Sequence, residues 1–250
     1  MKKILFTISL VMILLSNSNA QTYDFLDSNL KRLTSQRSLQ INPQTLDAYL
    51  FSGERVSKAD VMLYLMLVEY QPAIYTDDDN NPKVIVFEKA SDEAMAAKIK
   101  MYENVPGSDF LLNEKVPDFT LKSLDGNLIN LQDYKGQIVL LNFWFVGCKP
   151  CIMEMPELNE IVEDYKSQGI NFLAIGLDKP EQVNKFLEKN DFEYTLLPDG
   201  RSVARSFGVT TYPTHLLLNR EGKVIFSQVG YFPGLKYAIR KRLTDAIKEN

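Results

Sequence analysis

The passage that most constrains this chain runs from Ile138 to Pro156. Residues 138–144 are apolar except for Asn142, the pattern of a strand covered on both faces. The run gives way to Cys148-Lys149-Pro150-Cys151, and a helix carrying Glu154 and Pro156 is expected to follow. The chain has no cysteines besides these two in its 250 residues.

The sequence on either side supplies the elements to bury such a strand. Residues 116–121 and 127–131 flank Ser123-Leu124-Asp125-Gly126, whose Asp-Gly step signals a hairpin. Beyond the cysteines the pattern predicts a helix to about Ser167, a strand over 170–177, a helix over 181–190, a short strand over 194–197 and a short helix over 202–207. A second hairpin joins 214–218 to 224–229, and an amphipathic helix closes the chain over 235–247. Strands alternating with helices and ending in an antiparallel hairpin describe a mixed-sheet α/β domain. Its expected limits are residues 108–250, after the break at Val105-Pro106-Gly107.

Residues 21–107 read as a small, mostly helical or α+β region. Ser57 and Asp60 mark a helix start before the apolar run 61–68, which Gln71-Pro72 is expected to end. Residues 77–82 are a polar turn; their acidic triplet lacks the spacing of a calcium loop. Residues 84–87 read as a strand, and Ser91 as the cap of a helix reaching about Tyr102. No residue pattern here carries chemistry.

The first 20 residues have the form of a signal peptide: Lys2 and Lys3, an apolar stretch over 4–15, and Ser18-Asn19-Ala20 before an expected cleavage at Gln21. Export, to the periplasm or another extracytoplasmic space, would put the cysteines where disulfides persist. With 28 Lys and Arg against 32 Asp and Glu, and no basic run, nothing points to a nucleic-acid partner.

What the two cysteines do is decided by their spacing. As a staple they would remove only about 2 kcal/mol of unfolded-state entropy, against almost 5 for a loop of about 100 residues. Structural zinc wants four ligands, where only two thiols and His215 are at hand. Covalent haem attachment requires His after the second cysteine, where Ile152 stands. Thiol redox chemistry fits better. Cys148 at a helix N-terminus meets unpaired N–H groups and the positive end of the dipole, with Lys149 adding charge, so its thiolate is favoured. Pro150 suits a first helical turn. Cys151 lies one turn in and is expected to be the more shielded, so Cys148 attacks and Cys151 resolves. Glu154, three residues on, shares a helix face with Cys151. A carboxylate desolvated there could take the proton that leaves Cys151. His215, the single histidine, sits in an apolar strand and reads as a structural residue satisfying a local hydrogen bond.

These motifs resemble the TlpA/ResA-like thiol-disulfide oxidoreductases of the thioredoxin-like superfamily. The resemblance rests on Val116-Pro117-Asp118-Phe119, Asn142-Phe143-Trp144, Cys148-Lys149-Pro150-Cys151, Glu154-Met155-Pro156 and Val209-Thr210-Thr211-Tyr212-Pro213-Thr214, in that order. It implies a thioredoxin-like fold over residues 108–250 with an added N-terminal hairpin, and a cis Tyr212–Pro213 peptide facing the cysteines. It further implies a substrate-facing surface drawn from Trp144, Gly147, Lys149, Pro150, Thr211, Tyr212 and Pro213. The implied activity is reduction of disulfides in exported proteins, of which apocytochrome c is an example. The implied electron donor is a membrane protein of the CcdA/DsbD type, and no cofactor is called for. Relatives often carry an aromatic residue where Gly147 stands. Three alternatives share the fold: a copper-binding module using both thiols and His215, a thiol oxidant, and a peroxidase. The last would want Thr or Ser at the position of Phe145.

Overall fold

The computed structural model describes residues 23–33 and 42–249. The expected signal peptide and its cleavage site lie outside them. The described residues form two compact units, divided between Met101 and Tyr102.

The first unit is built on a sheet. Its elements are β1 (Lys31–Arg32), β2 (Asp47–Leu50), α1 (Val61–Met66), β3 (Tyr70–Thr76), β4 (Pro82–Lys89) and α2 (Asp92–Glu103). The strand order is β1-β3-β4-β2, with β2 parallel to β4 and the other pairs antiparallel. A mostly helical region was the wrong half of the expectation; the α+β alternative is the one adopted. Gln71-Pro72 does not end a helix. The helix stops at Met66, and Pro72 lies inside β3 opposite Phe87. Pro72 is tolerated because, among the described residues, β1 and Leu33 after it reach β3 only from Thr76 back to Ile74, so no neighbouring strand there needs its missing N–H. Nor is α1 buried on most of its circumference: Val61 alone is fully covered. Ser91 does cap α2, its Oγ accepting the Ala94 N–H at 3.2 Å.

The second unit holds β5 (Thr120–Lys122), β6 (Leu128–Asn130), β7 (Ile138–Trp144), α3 (Lys149–Tyr165), β8 (Ile170–Gly176), α4 (Pro180–Leu187), β9 (Thr195–Leu197), α5 (Arg201–Ser206), β10 (Thr214–Leu218), β11 (Val224–Val229) and α6 (Leu235–Lys248). Strands β5 and β6 form the hairpin, with Gly126 at φ +87° in its turn. The main sheet has the order β11-β10-β7-β8-β9. Strands β7, β8 and β9 run parallel, and β10 and β11 return antiparallel.

Side chains alternate across β7, so its two faces feed two cores. Ile138, Leu140 and Trp144 pack with residues of α3, α4 and α6, whereas Val139, Leu141 and Phe143 pack with α5 and the hairpin. Asn142 shares the parity of Trp144 and therefore faces the α3 side. On α3, Leu158 and Ile161 are almost wholly buried, each worth about 1.5–3 kcal/mol. The helix continues through Pro156 to Tyr165.

Residues 105–107 belong to the second unit. Gly107 has φ +81°, and a Cβ there would lie 2.4 Å from the Ser227 carbonyl oxygen. Compactness thus divides the chain within the last turn of α2 rather than at Gly107.

Candidate functional site

Cys148 is the N-cap of α3, with extended backbone (φ −79°, ψ 96°), and its Sγ accepts the backbone N–H of Cys151 at 3.3 Å. Lys149 and Pro150 open the helix, and both are exposed, as is Gly147 before them. Cys148 and Cys151 are joined as a disulfide. Both are buried, at 3% and 1% exposure, so the expectation that shielding would separate them is not met. What separates them is position: one sulfur faces the N–H groups of the helix end, and the other sits a turn inside.

The loop entering the helix is held from two sides. Asp178, following β8, accepts the Val146 N–H at 2.7 Å. The Phe145 ring meets Tyr212 edge-on, with centroids 5.5 Å apart. The Tyr212–Pro213 peptide is cis. Pro213 is buried, its carbonyl accepting the Gly230 N–H at 2.8 Å, while Thr211 is exposed and its carbonyl accepts the Thr214 hydroxyl at 2.7 Å. Burial pushes the Tyr212 phenol up in pKa, and the nearby Arg201 charge partly opposes this. Tyr212 also borders an open cavity of about 330 Å³ with Leu177, Arg201, Arg205 and Val209.

Trp144 does not belong to this surface. It is 1% exposed, with its ring against Phe186 and Phe192 at 5.4 and 5.5 Å between centroids. As the last residue of a doubly covered strand it points into the helix-side core.

Beneath the cysteines lies a polar cluster that sequence reasoning only half found. Glu154, on the first turn after Cys151, is 1% exposed. Asn142 Nδ2 donates to Glu154 Oε1 at 3.2 Å. His215 Nε2 stands 3.1 Å from Oε1 and 3.2 Å from Oε2 of the same carboxylate. His215 Nδ1 lies 3.2 Å from Asn142 Nδ2. The register explains the meeting: His215 on β10 is directly opposite Asn142 on β7, and both face α3. His215 thus satisfies no merely local hydrogen bond; its partner is the carboxylate 61 residues earlier. The available signal was that two otherwise apolar buried strands each carry one internal polar residue. Tyr194, just before β9, adds a buried phenol whose hydroxyl has no hydrogen-bond partner; burial and then the Glu154 charge push its pKa up. Among the described residues no group of three or more His, Cys, Asp and Glu side chains is placed to hold a metal ion. With its imidazole engaged by Glu154, His215 offers little to the copper alternative.

A vicinal cysteine pair at a helix N-cap, on a mixed five-stranded sheet and with a cis-proline loop packed on its approach, defines a thioredoxin-like dithiol protein. Comparison with known proteins agrees. The profile of the AhpC/TSA family matches residues 112–227, a span holding both cysteines, Glu154, Pro213 and His215. The thiol-disulfide oxidoreductase ResA of Bacillus cereus strain ZK / E33L is 35% identical over 121 residues, covering 48% of this chain and 70% of that protein. ResA of Geobacillus thermodenitrificans is 40% identical over 110 residues, 43% of this chain and 63% of that one. In structure, a candidate DsbE-type thiol:disulfide interchange protein from Chlorobium tepidum superposes with a TM-score of 0.51 at 34% identity, over 54% of this chain and 97% of that one. The chain belongs to the thioredoxin-like AhpC/TSA family, among its ResA-like members, and is a thiol-disulfide oxidoreductase.

Proposed function

We propose that this oxidoreductase works outside the cytoplasm and reduces disulfides in exported proteins, with Cys148 as nucleophile, Cys151 as resolving thiol and Glu154 as proton acceptor. The observation that carries the reading is the N-cap position of Cys148, whose sulfur accepts the Cys151 N–H while Glu154 is buried one turn beyond. A donor aimed at the sulfur favours the thiolate. That thiolate attacks a substrate disulfide, expelling one substrate sulfur and forming a mixed disulfide. Cys151 passes its proton to Glu154 and attacks Cys148 Sγ, which releases the second substrate sulfur and leaves the Cys148–Cys151 bond. Two electrons have then moved from enzyme to substrate.

In this reading the exposed Gly147, Lys149, Pro150 and Thr211, together with Tyr212 and the backbone at Pro213, receive the substrate chain. Residues 108–250 are the working domain, residues 1–20 a cleaved signal peptide, and residues 21–107 a preceding region outside the thiol chemistry. Export is supported by the basic start and apolar stretch of that leader. Among the described residues no helix is long and apolar enough to cross a membrane. The oxidised enzyme is recharged by a membrane electron donor of the CcdA/DsbD type, and an apocytochrome c is a substrate of suitable chemistry.

Direction is tested by the reduction potential of the Cys148–Cys151 couple. A reductant is expected at about −270 to −200 mV, whereas a value near about −120 mV would make the protein a thiol oxidant.

A further inference from the structure

The resolving half of the cycle leaves one proton to be placed inside the protein, and the structure offers more than a carboxylate to receive it. His215 Nε2 lies within 3.2 Å of both Glu154 oxygens, in a position 0% exposed. Asn142 Nδ2 lies 3.2 Å from Nδ1 and 3.4 Å from Nε2; since an ionised carboxylate can only accept, the Nε2 proton goes to Glu154 and Nδ1 is the ring nitrogen left to accept from Asn142. Asn142 spends its other N–H on Glu154 Oε1. The carboxylate is therefore gripped from two strands at once, three residues after Cys151 on the same helix.

Building on the reading of Glu154 as proton acceptor, we propose that His215 is a positioning residue of the resolving step, its Nε2–H holding the Glu154 carboxylate aimed and ready to take the proton of Cys151. The imidazole and the carboxylate act as one unit. The step is balanced: the Cys151 S–H bond breaks and its proton goes to Glu154; the new thiolate forms the bond to Cys148 Sγ; and the substrate sulfur leaves with the electron pair of the broken mixed disulfide. The groups facing the unit are Cys151 on the same helix, Asn142 from β7 and the Tyr194 phenol ahead of β9, whose pKa the Glu154 charge helps to raise. Tyr194, its pKa raised, stays protonated through the working range and does not compete for the proton of Cys151.

The test uses the reduced full chain mixed with an aromatic disulfide whose thiolate is coloured. Release is biphasic: attack by Cys148 frees the first thiolate, and resolution by Cys151 frees the second. Glu154→Gln is expected to slow the second phase by about 10²-fold and leave the first nearly unchanged. His215→Leu is expected to slow the second phase about tenfold at neutral pH. His215→Gln, which keeps a donor, restores most of the rate, and His215→Leu adds nothing in the Glu154→Gln background. Because His215 is the single histidine, its imidazole nitrogen resonances report on the unaltered protein even if His215→Leu does not fold. They are expected to shift when the Cys148–Cys151 bond is reduced and again in Glu154→Gln. If Glu154→Gln slows resolution but His215→Leu does not, or if the resonances ignore both the redox state and the loss of the Glu154 charge, the role of His215 is overturned and that of Glu154 stands. If Glu154→Gln itself leaves the second phase unchanged, the acceptor reading and this one fall together.

Discussion

Both units bury polar groups beside a sheet, but they close them off differently. In the first, the half-buried Lys98 ammonium donates to the carbonyls of Leu65, Leu67 and Tyr70 at 3.1, 2.8 and 2.9 Å. All three of its protons are spent on carbonyls of the end of α1, the turn after it and the first residue of β3. Glu88 is likewise closed off, accepting from Arg32 at 2.7 Å and from the Tyr23 hydroxyl at 3.3 Å. Burial and the Glu88 carboxylate push the Tyr23 phenol up, and burial pulls the Lys98 ammonium down. In the second unit, Asn142, Glu154 and His215 satisfy one another, yet the Tyr194 hydroxyl and the Trp144 indole N–H remain without partners. That cluster lies beneath a redox-active sulfur pair. A cluster with every donor matched holds a fold together; one with titratable groups under a thiol can move a proton.

The sharpest way to break this contrast is at the sulfur. Cys148→Ser is expected to remove disulfide reduction entirely, down to the uncatalysed rate in an insulin-reduction assay, while Cys151→Ser still attacks but stalls as a mixed disulfide. Substantial turnover by Cys148→Ser would mean that the N-cap sulfur is not the nucleophile.

A smaller effect is expected from Lys98→Met, which takes the charged donor from three carbonyls. The first unit should lose about 2 kcal/mol in denaturant unfolding, with the thiol exchange rates unchanged. A loss of exchange activity at unchanged stability would show that the first unit takes part in the chemistry.

The smallest effect belongs to Asp77, in the exposed turn between β3 and β4. Its carboxylate accepts the N–H groups of Asn81 at 2.8 Å and Asp79 at 3.1 Å, and Lys83 stands 3.1 Å away. The Asn81 N–H first, then Lys83 and the Asn81 amide, hold its pKa down to about 2, from an ordinary 3.8. A group depressed in the folded state stabilises above its unfolded value and loses that contribution as the pH falls through its folded one. The stability difference between wild type and Asp77→Asn should therefore be constant above about pH 4 and fade toward about pH 2. An unchanged difference down to pH 2 would show that the turn does not use the charge.

What could be read from the sequence follows how local each signal is. Strand β7, the Asp125-Gly126 hairpin, the cysteine pair and Glu154 at helical spacing are all written within a few residues. Strand β3 was missed because Pro72 reads as a breaker, and only the shortness of β1 makes it harmless. Strand β2 is four residues long and is defined by parallel pairing with β4, a non-local match. The family resemblance puts Trp144 on the substrate-facing surface, whereas the parity of a doubly buried strand turns it inward. The tie between His215 and Glu154 depends on the β7–β10 register, which composition does not disclose.

The division of labour between the two cysteines can be measured without substrate. With the disulfide reduced, limiting iodoacetamide is applied across a pH series and each alkylated peptide is quantified. A thiolate held at the helix N-cap should make Cys148 react first, at lower pH and at least about tenfold faster than Cys151, although both residues are buried, at 3% and 1% exposure. Equal rates at the two cysteines, or faster labelling of Cys151, would contradict the assignment of Cys148 as the attacking sulfur.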